Sequence, residues 1–357
     1  MIGNPPYGAS LSEEQIQYYK QNFQIKTSET AILFIEKGLT LCKENALETY
    51  IIPKSFTFAS NYASTRDFVE DNLCFIVDCG KAFENVLFEA CIISNRKNVK
   101  SNFYNSVKFT NDKEFCLVGI VDKKIKTKFG FYPNGITNNE IKIGEKIIEK
   151  CISLNDIAKN NRGEMFQKFI QNEGKFKVIG GKEIDRFGIR GIKGYLNDEK
   201  ILTEKAKIST TAILVQNIVA HVTKPYEHIK IIACIPVKED YFIADTINQI
   251  TMIDEDYDKR LVWALLNSKF VNWYAYNFIF AKAIRTMHFD NAVTSRIPIP
   301  NISIGNPQPI ITLVNQILSA KKENPVADTS ALEKEIDKLV YELYGLTEEE
   351  IKIIEKN

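Results

Sequence analysis

Apolar and polar positions along this chain change period several times, and those changes mark its elements. Ser12 to Phe23 and Ser28 to Glu44 carry helical spacing, and the first opens with Ser12-x-x-Gln15, a pair whose side chains can cap each other's backbone N–H. From there, apolar runs of strand length alternate with amphipathic stretches. Glu48 to Ile52 reads as a short strand stopped at Pro53, Tyr62 to Asp71 as a helix, and Leu73 to Val77 and Val86 to Ile93 as two further strands. Continuous apolar strands need cover on both faces, so the alternation predicts an α/β fold with helices on either side of a sheet. Beyond about residue 150 the runs shorten and glycines intervene, the texture of a mixed α+β, loop-rich domain. Near the end, Leu332, Ile336, Leu339, Val340 and Leu343 form one stripe on a helix from Ser330 to Tyr344. Gly345 stops that helix, and Thr347-x-x-Glu350 opens another. By physics alone this C-terminal helical segment is a structural cap. The expected divisions are residues 1–150, 151–325 and 326–357.

Composition narrows the class. The 357 residues give material for two or three domains, and 45% hydrophobic with 25% charged residues is the balance of a soluble globular protein. No signal-like start and no apolar run of transmembrane length occurs, so a cytoplasmic protein without a membrane partner is expected. The seven cysteines are scattered without a C-x-x-C pair, and His221, His228 and His288 lack metal-ligand spacing. Free thiols and no metal are therefore expected. Net charge is only +1, but unevenly placed. Residues 95–128 hold nine Lys or Arg against three acids, residues 155–230 fourteen against nine, and residues 321–357 six against ten. A basic middle with an acidic tail suits double-stranded DNA as partner, although solvated faces would show the same counts. Within the middle, Lys182, Arg186, Arg190 and Lys193 lie among Gly181, Gly188, Gly191 and Gly194, which let backbone approach a groove. These four are the candidate DNA-binding residues.

The most specific chemistry lies at the start. Ile2-Gly3 runs into Asn4-Pro5-Pro6-Tyr7-Gly8, where each proline fixes its own φ and restricts the residue before it. Such a stiff turn can present the Asn4 amide oxygen and the Pro5 carbonyl as two acceptors converging on one amino group, with the Tyr7 ring as a stacking face. That is a pocket for an amino-bearing planar base. A plain proline turn would carry the same four residues.

This tetrapeptide resembles the catalytic loop of amino-methylating DNA methyltransferases whose flipped base is adenine. The resemblance implies that Asn4 and Pro5 hold the exocyclic amine with its lone pair toward the methyl of S-adenosylmethionine. It also implies that Tyr7 stacks on the base and that Pro6 lies alongside the cofactor. Further phrases follow in order: Tyr50-Ile51-Ile52-Pro53-Lys54-Ser55-Phe56, then Tyr62 and Arg66-Asp67-Phe68, then Phe75 to Asp78 with Gly80, Phe83, Val86 and Glu89 to Ile93. They resemble the segments after the catalytic loop in type II G restriction-modification enzymes. Leu154 to Ile157, Val178 to Phe187, Leu265 to Phe270, Arg296 to Pro300 and Ile336 to Leu346 resemble the target-recognition region of the same enzymes. No family phrase can be placed between Lys193 and Ile208. The implied fold is a partial Rossmann-like methyltransferase sheet, then a mixed target-recognition domain, then C-terminal helices.

The implied activity is site-specific adenine methylation with S-adenosylmethionine as cosubstrate. The glycine-rich cofactor turn that precedes the loop in that family does not occur in this sequence, and Gly180-Gly181 has another context. The chain is therefore expected to be inactive by itself and to need a separate N-terminal methyltransferase half. The alternative is a non-catalytic DNA-recognition chain acting with a cofactor-binding subunit. No nuclease chemistry is expected, and the part from about residue 150 onward is expected to fold by itself.

Overall fold

The computed structural model describes residues 1–25, 27–82, 89–237, 240–284, 287–302 and 305–356. The chain divides into two compact units, Met1–Glu145 with Asn277–Arg285, and Lys146–Tyr276 with Thr286–Asn357. The division falls at 145/146, a nine-residue segment returns to the first unit, and the C-terminal helices share the second unit with the region before them.

The first unit is built on one mixed sheet. Its elements are β1 (Ile2–Gly3), α1 (Glu13–Asn22), α2 (Thr30–Leu41), β2 (Leu47–Pro53), α3 (Ala63–Val69), β3 (Leu73–Asp78), β4 (Ala90–Arg96), β5 (Phe103–Phe109), β6 (Phe115–Asp122), α4 (Ile125–Phe129) and α5 (Asn138–Lys150), the last running past the division. The strand order is β1-β2-β4-β3-β5-β6. β1 runs parallel to β2, with Ile2 opposite Thr49 and Gly3 opposite Tyr50. β4 lies antiparallel between β2 and β3, β5 is parallel to β3, and β6 returns antiparallel. The apolar pattern accounts for these positions: β2 buries alternate residues, while Ile76, Ile93, Ile52 and Phe56 are fully enclosed. α2 packs on β2 through a face that includes Ile32, Ile35 and Leu39. The expected capping box at Ser12 is present, with both reciprocal bonds made. The strand expected from Val86 begins at Ala90 in the structure, and residues 83–88 lie outside the described residues. The β5–β6 hairpin occupies the stretch that the sequence marked only by its charge.

The second unit is a set of small sheets backed by helices. β7 (Cys151–Ser153), α6 (Leu154–Ile157) and β8 (Ala158–Arg162) lead to β9 (Phe176–Ile179), the short pair β10 (Ile184–Asp185) and β11 (Gly188–Ile189), and β12 (Gly194–Leu196). β13 (Ala212–Gln216), β14 (Ala220–Val222), β15 (His228–Lys230), β16 (Ala233–Cys234), β17 (Tyr241–Ile243) and β18 (Ile247–Met252) follow. The sheets run β16-β13-β18-β8 and β12-β9-β17, with β10–β11, β14–β15 and β7 with β19 (Pro298–Pro300) as pairs. The helices are α7 (Lys259–Asn267), α8 (Lys269–Tyr274), α9 (Asn291–Thr294), α10 (Gln308–Glu323), α11 (Ser330–Leu343) and α12 (Glu348–Glu355). α10 packs on α7 and α11, and α11 on α8. Tyr344, just past α11, lies 4.4 Å from the Phe270 ring and donates its hydroxyl to Pro298 O at 2.7 Å. Gly345 then takes φ +64, a left-handed stop that a side chain would disfavour, and Thr347 and Glu350 form the expected capping box of the next helix. Among the described residues no helix is long and apolar enough to cross a membrane.

Candidate active site

β1 points its C-terminal end into the proline loop, and the loop is held by the sheet and by the start of α2. Pro5 is buried, while Asn4 and Pro6 are exposed. Thr30, the first residue of α2, donates its hydroxyl to Pro6 O at 2.7 Å, and the Tyr7 hydroxyl donates to Ile51 O of β2 at the same distance. The loop is thus fixed at its third and fourth residues. No hydrogen bond engages the Asn4 amide or the Pro5 carbonyl among the described residues. Burial, with Cys91 and Cys79 beside it, pushes the Tyr7 phenol up to about 12.

The first unit also holds a charged cluster, just past the end of β2, that sequence reading missed. Lys54, one residue past β2, is buried, and its Nζ donates to Asp78 Oδ2 at 2.9 Å, Glu89 Oε1 at 3.1 Å and Lys282 O at 3.0 Å. Burial opposes its charge, but Asp78 and Glu89 overcome that and raise its pKa above the ordinary lysine value. Glu89 accepts from Ile284 N at 2.8 Å, and Lys282 Nζ donates to Gly135 O at 2.8 Å and lies 3.6 Å from Glu140. Burial lowers the Lys282 pKa, with Glu140 opposing. Segment 277–285 is therefore tied to the first unit by charge, and Ala281 and Lys282 both have left-handed backbone, at φ +50 and +55. Strained non-glycine residues of this kind persist only where surroundings hold them. The local clue was Lys54 and Asp78 at strand ends; the partners are far off in sequence.

The four basic candidates separate in the second unit. Lys182 is exposed and Lys193 half-buried, and no ion pair engages either among the described residues. Arg186 donates to Glu333 of α11 at 2.7 Å and lines a cavity of about 370 Å³ among α7, α8 and α11. Arg190 is paired with Asp185. Lys182 and Lys193 thus differ from Arg186 and Arg190, which already have carboxylate partners.

Comparison with known proteins agrees with the loop. Residues 1–83 match the Eco57I restriction-modification methylase family, so the resemblance drawn from Asn4 to Tyr7 and from the phrases as far as Phe83 is borne out. Among curated proteins, the adenine-specific methyltransferase BrxX of Escherichia coli O9:H4 (strain HS) is 29% identical over 30% of this chain and 10% of its own length. The type II restriction enzyme and methyltransferase RM.Eco57I of Escherichia coli is 27% identical over 29% of this chain and 11% of its own. The matches thus span about a tenth of these relatives. The solved structure of the type IIL restriction-modification enzyme MmeI in complex with DNA aligns with 97% of this chain and 54% of that one, at TM-score 0.61 and 12% identity. That is a likeness of fold.

Proposed function

We propose that this chain carries the catalytic loop and target-recognition region of a site-specific DNA adenine methyltransferase. The observation that carries the reading is the loop itself: a proline turn at the end of a parallel strand, with Asn4 exposed, no hydrogen bond on the Pro5 carbonyl among the described residues, and the Tyr7 hydroxyl docked on β2. The Asn4 oxygen and the Pro5 carbonyl accept the two amine hydrogens of an extruded adenine and free its lone pair from the ring. Tyr7 stacks on the base, which offsets part of the few kcal/mol needed to unstack it from the duplex. S-adenosylmethionine supplies the methyl in this reading. The residues present do not fit a complete site for it, because Pro6 is the one residue the resemblance sets beside the cofactor and, among the described residues, no glycine-rich turn follows a strand of the first unit. The outer edge of β1 is the end of the described sheet, so its backbone groups are open to pairing with a further strand. Lys182 and Lys193 contribute phosphate contacts on double-stranded DNA.

Asn4→Ala tests the reading in the reconstituted enzyme. It should cost about 2.7 to 4 kcal/mol in methyl transfer, the loss of one oriented acceptor, with DNA affinity almost unchanged. Near-normal turnover in this variant would remove the catalytic assignment.

A further inference from the structure

We infer that the outward face of the β5–β6 hairpin is the contact surface between two copies of this chain, packed face to face about a two-fold axis. The pairing register fixes which side chains share that face. Asn105 stands opposite Ile120, Val107 opposite Leu117 and Phe109 opposite Phe115, with Val118 as the extra residue of a bulge between the first two pairs. The Phe109 and Phe115 rings lie 5.0 Å apart, as cross-strand neighbours on one face do. Phe103 precedes Asn105 by two positions and so points the same way. The alternate positions turn inward. Tyr104, Ser106 and Val121 are buried, and a Cβ on Gly119 would come within 2.6 Å of Asn138. Ser106 Oγ donates to Asn134 Oδ1 at 2.9 Å, and the Tyr104 ring meets that of Tyr132 at 5.5 Å between centroids. The chain's own segment 132–138 thus fills the inner face and leaves the outer one bare.

On that outer face Phe103 is 50% exposed, Ile120 55%, Leu117 62% and Phe115 64%. Four side chains of this size leave on the order of 400 Å² of apolar area in water. A stable interface takes about 800 Å² from each partner, a little over half of it apolar, so these four supply nearly the whole apolar share of one side. The polar groups of the face fit the same occupant. Asp122 stands at the open end of the hairpin, where it accepts from Lys124 N at 2.9 Å. Asn105 lies among the apolar side chains, exposed, and its amide makes no side-chain hydrogen bond among the described residues. An amide is both donor and acceptor, so the same amide on a second copy answers it across a two-fold, whereas a hydrocarbon surface would strand it. β6 also ends the described sheet, yet residues 115–121 include no charge and no proline, two of the devices by which edge strands avoid other chains.

Sedimentation of the full chain across a concentration series tests this surface. A monomer–dimer equilibrium is expected, half-dissociated at about micromolar concentration or below. Phe115→Lys with Leu117→Lys should raise the dissociation constant at least about thirtyfold. At a dilution where both proteins are monomeric, the urea midpoint of this variant should match that of the unaltered chain, because both side chains already stand in water there. Asn105→Asp keeps the shape of the face but removes the amide donor and adds a charge, so it should dissociate the dimer as well, and it serves if the lysine variant fails to fold. Leu117→Ile should keep the dimer. A chain that stays monomeric at about 100 μM, a dimer that survives in the lysine and Asn105→Asp variants, or an open-ended ladder of oligomers overturns the proposal. So does binding of the monomer to neutral phosphatidylcholine vesicles that the lysine variant loses, since the face would then cover lipid. Methyl transfer does not enter the measurement, so each of these outcomes leaves the reading of Asn4 untouched.

Discussion

Glu48 is the second residue of β2 and has no exposure to solvent. Its Oε2 accepts from Asn95 at 3.3 Å, while Oε1 has no hydrogen-bond partner among the described residues. Burial pushes its carboxyl from the ordinary value near 4.5 up to about 8, with the Asn95 bond pulling weakly the other way. The sign of the linkage follows. Below about pH 4.5 both folded and unfolded chains hold the proton and the full stability is present. As pH rises the unfolded chain ionises first, so stability falls by about 1.4 kcal/mol per unit until the folded pKa near 8 is passed. Glu48→Gln should flatten that decline and be the more stable protein above pH 8, as read by urea unfolding at several pH values. Parallel curves for both proteins would show that Glu48 does not titrate in this window. The basic residues separate by the same local reasoning. Lys182→Ala and Lys193→Ala should each flatten the salt dependence of DNA binding by about one unit, while Arg186→Ala, which leaves Glu333 without its partner, should alter stability more than slope. Equal slopes in all three variants would retire the surface.

Among the elements, the ends of β2 and β3 and segment 277–285 meet at Lys54. Removing its ammonium leaves Asp78 and Glu89 close together with their shared cation gone, so Lys54→Met should destabilise the first unit by about 3 to 5 kcal/mol. A denaturation midpoint equal to that of the unaltered chain would show that the cluster is not what holds the segment. This cluster also shows why part of the fold was hidden in the sequence. α1 was legible because Ser12 and Gln15 act within one turn, and the parallel partner of β1 was legible because Leu47–Pro53 is a bounded apolar run. Lys54 is 24 residues from Asp78, 35 from Glu89 and 228 from Lys282, and no local period records such distances. β5 and β6 escaped for another reason. Phe115, Leu117 and Ile120 are exposed on the outermost strand, so burial does not impose a clean alternation there. The site was legible in part: Asn4 to Tyr7 stand out as a motif, whereas the pairing of Arg186 with Glu333 joins residues 147 apart.

For the whole molecule, the path of the chain changes what a fragment can do. The region after about residue 150 reads as one independent domain, yet Asn277–Arg285 is counted with the first unit. Phe278 stacks on Phe129 at 4.7 Å between ring centroids. It also packs so closely on α5 that a Cβ on Gly144 would come within 2.6 Å of its ring. Ile279 and Phe280 are buried beside it in the chain. A fragment of residues 146–357 keeps these three side chains but loses Phe129 and Gly144, so about 1.5 to 3 kcal/mol of burial per large apolar side chain is forfeited and the surface becomes adhesive. That fragment should self-associate and bind an apolar dye. The same fragment with residues 277–285 replaced by a Gly/Ser linker should be monomeric and dark, because the second unit retains its own core of Ile179, Leu214, Cys234, Ile243 and Ile247. In the full chain, Phe278→Ala should cost about 3 to 5 kcal/mol, and the loss should appear in the unfolding of the first unit. Sedimentation and dye fluorescence of the two fragments decide the matter: a monomeric, dark fragment with its natural 277–285 segment would mean that this segment is content outside the first unit, and the division at 145/146 would not describe how the protein folds.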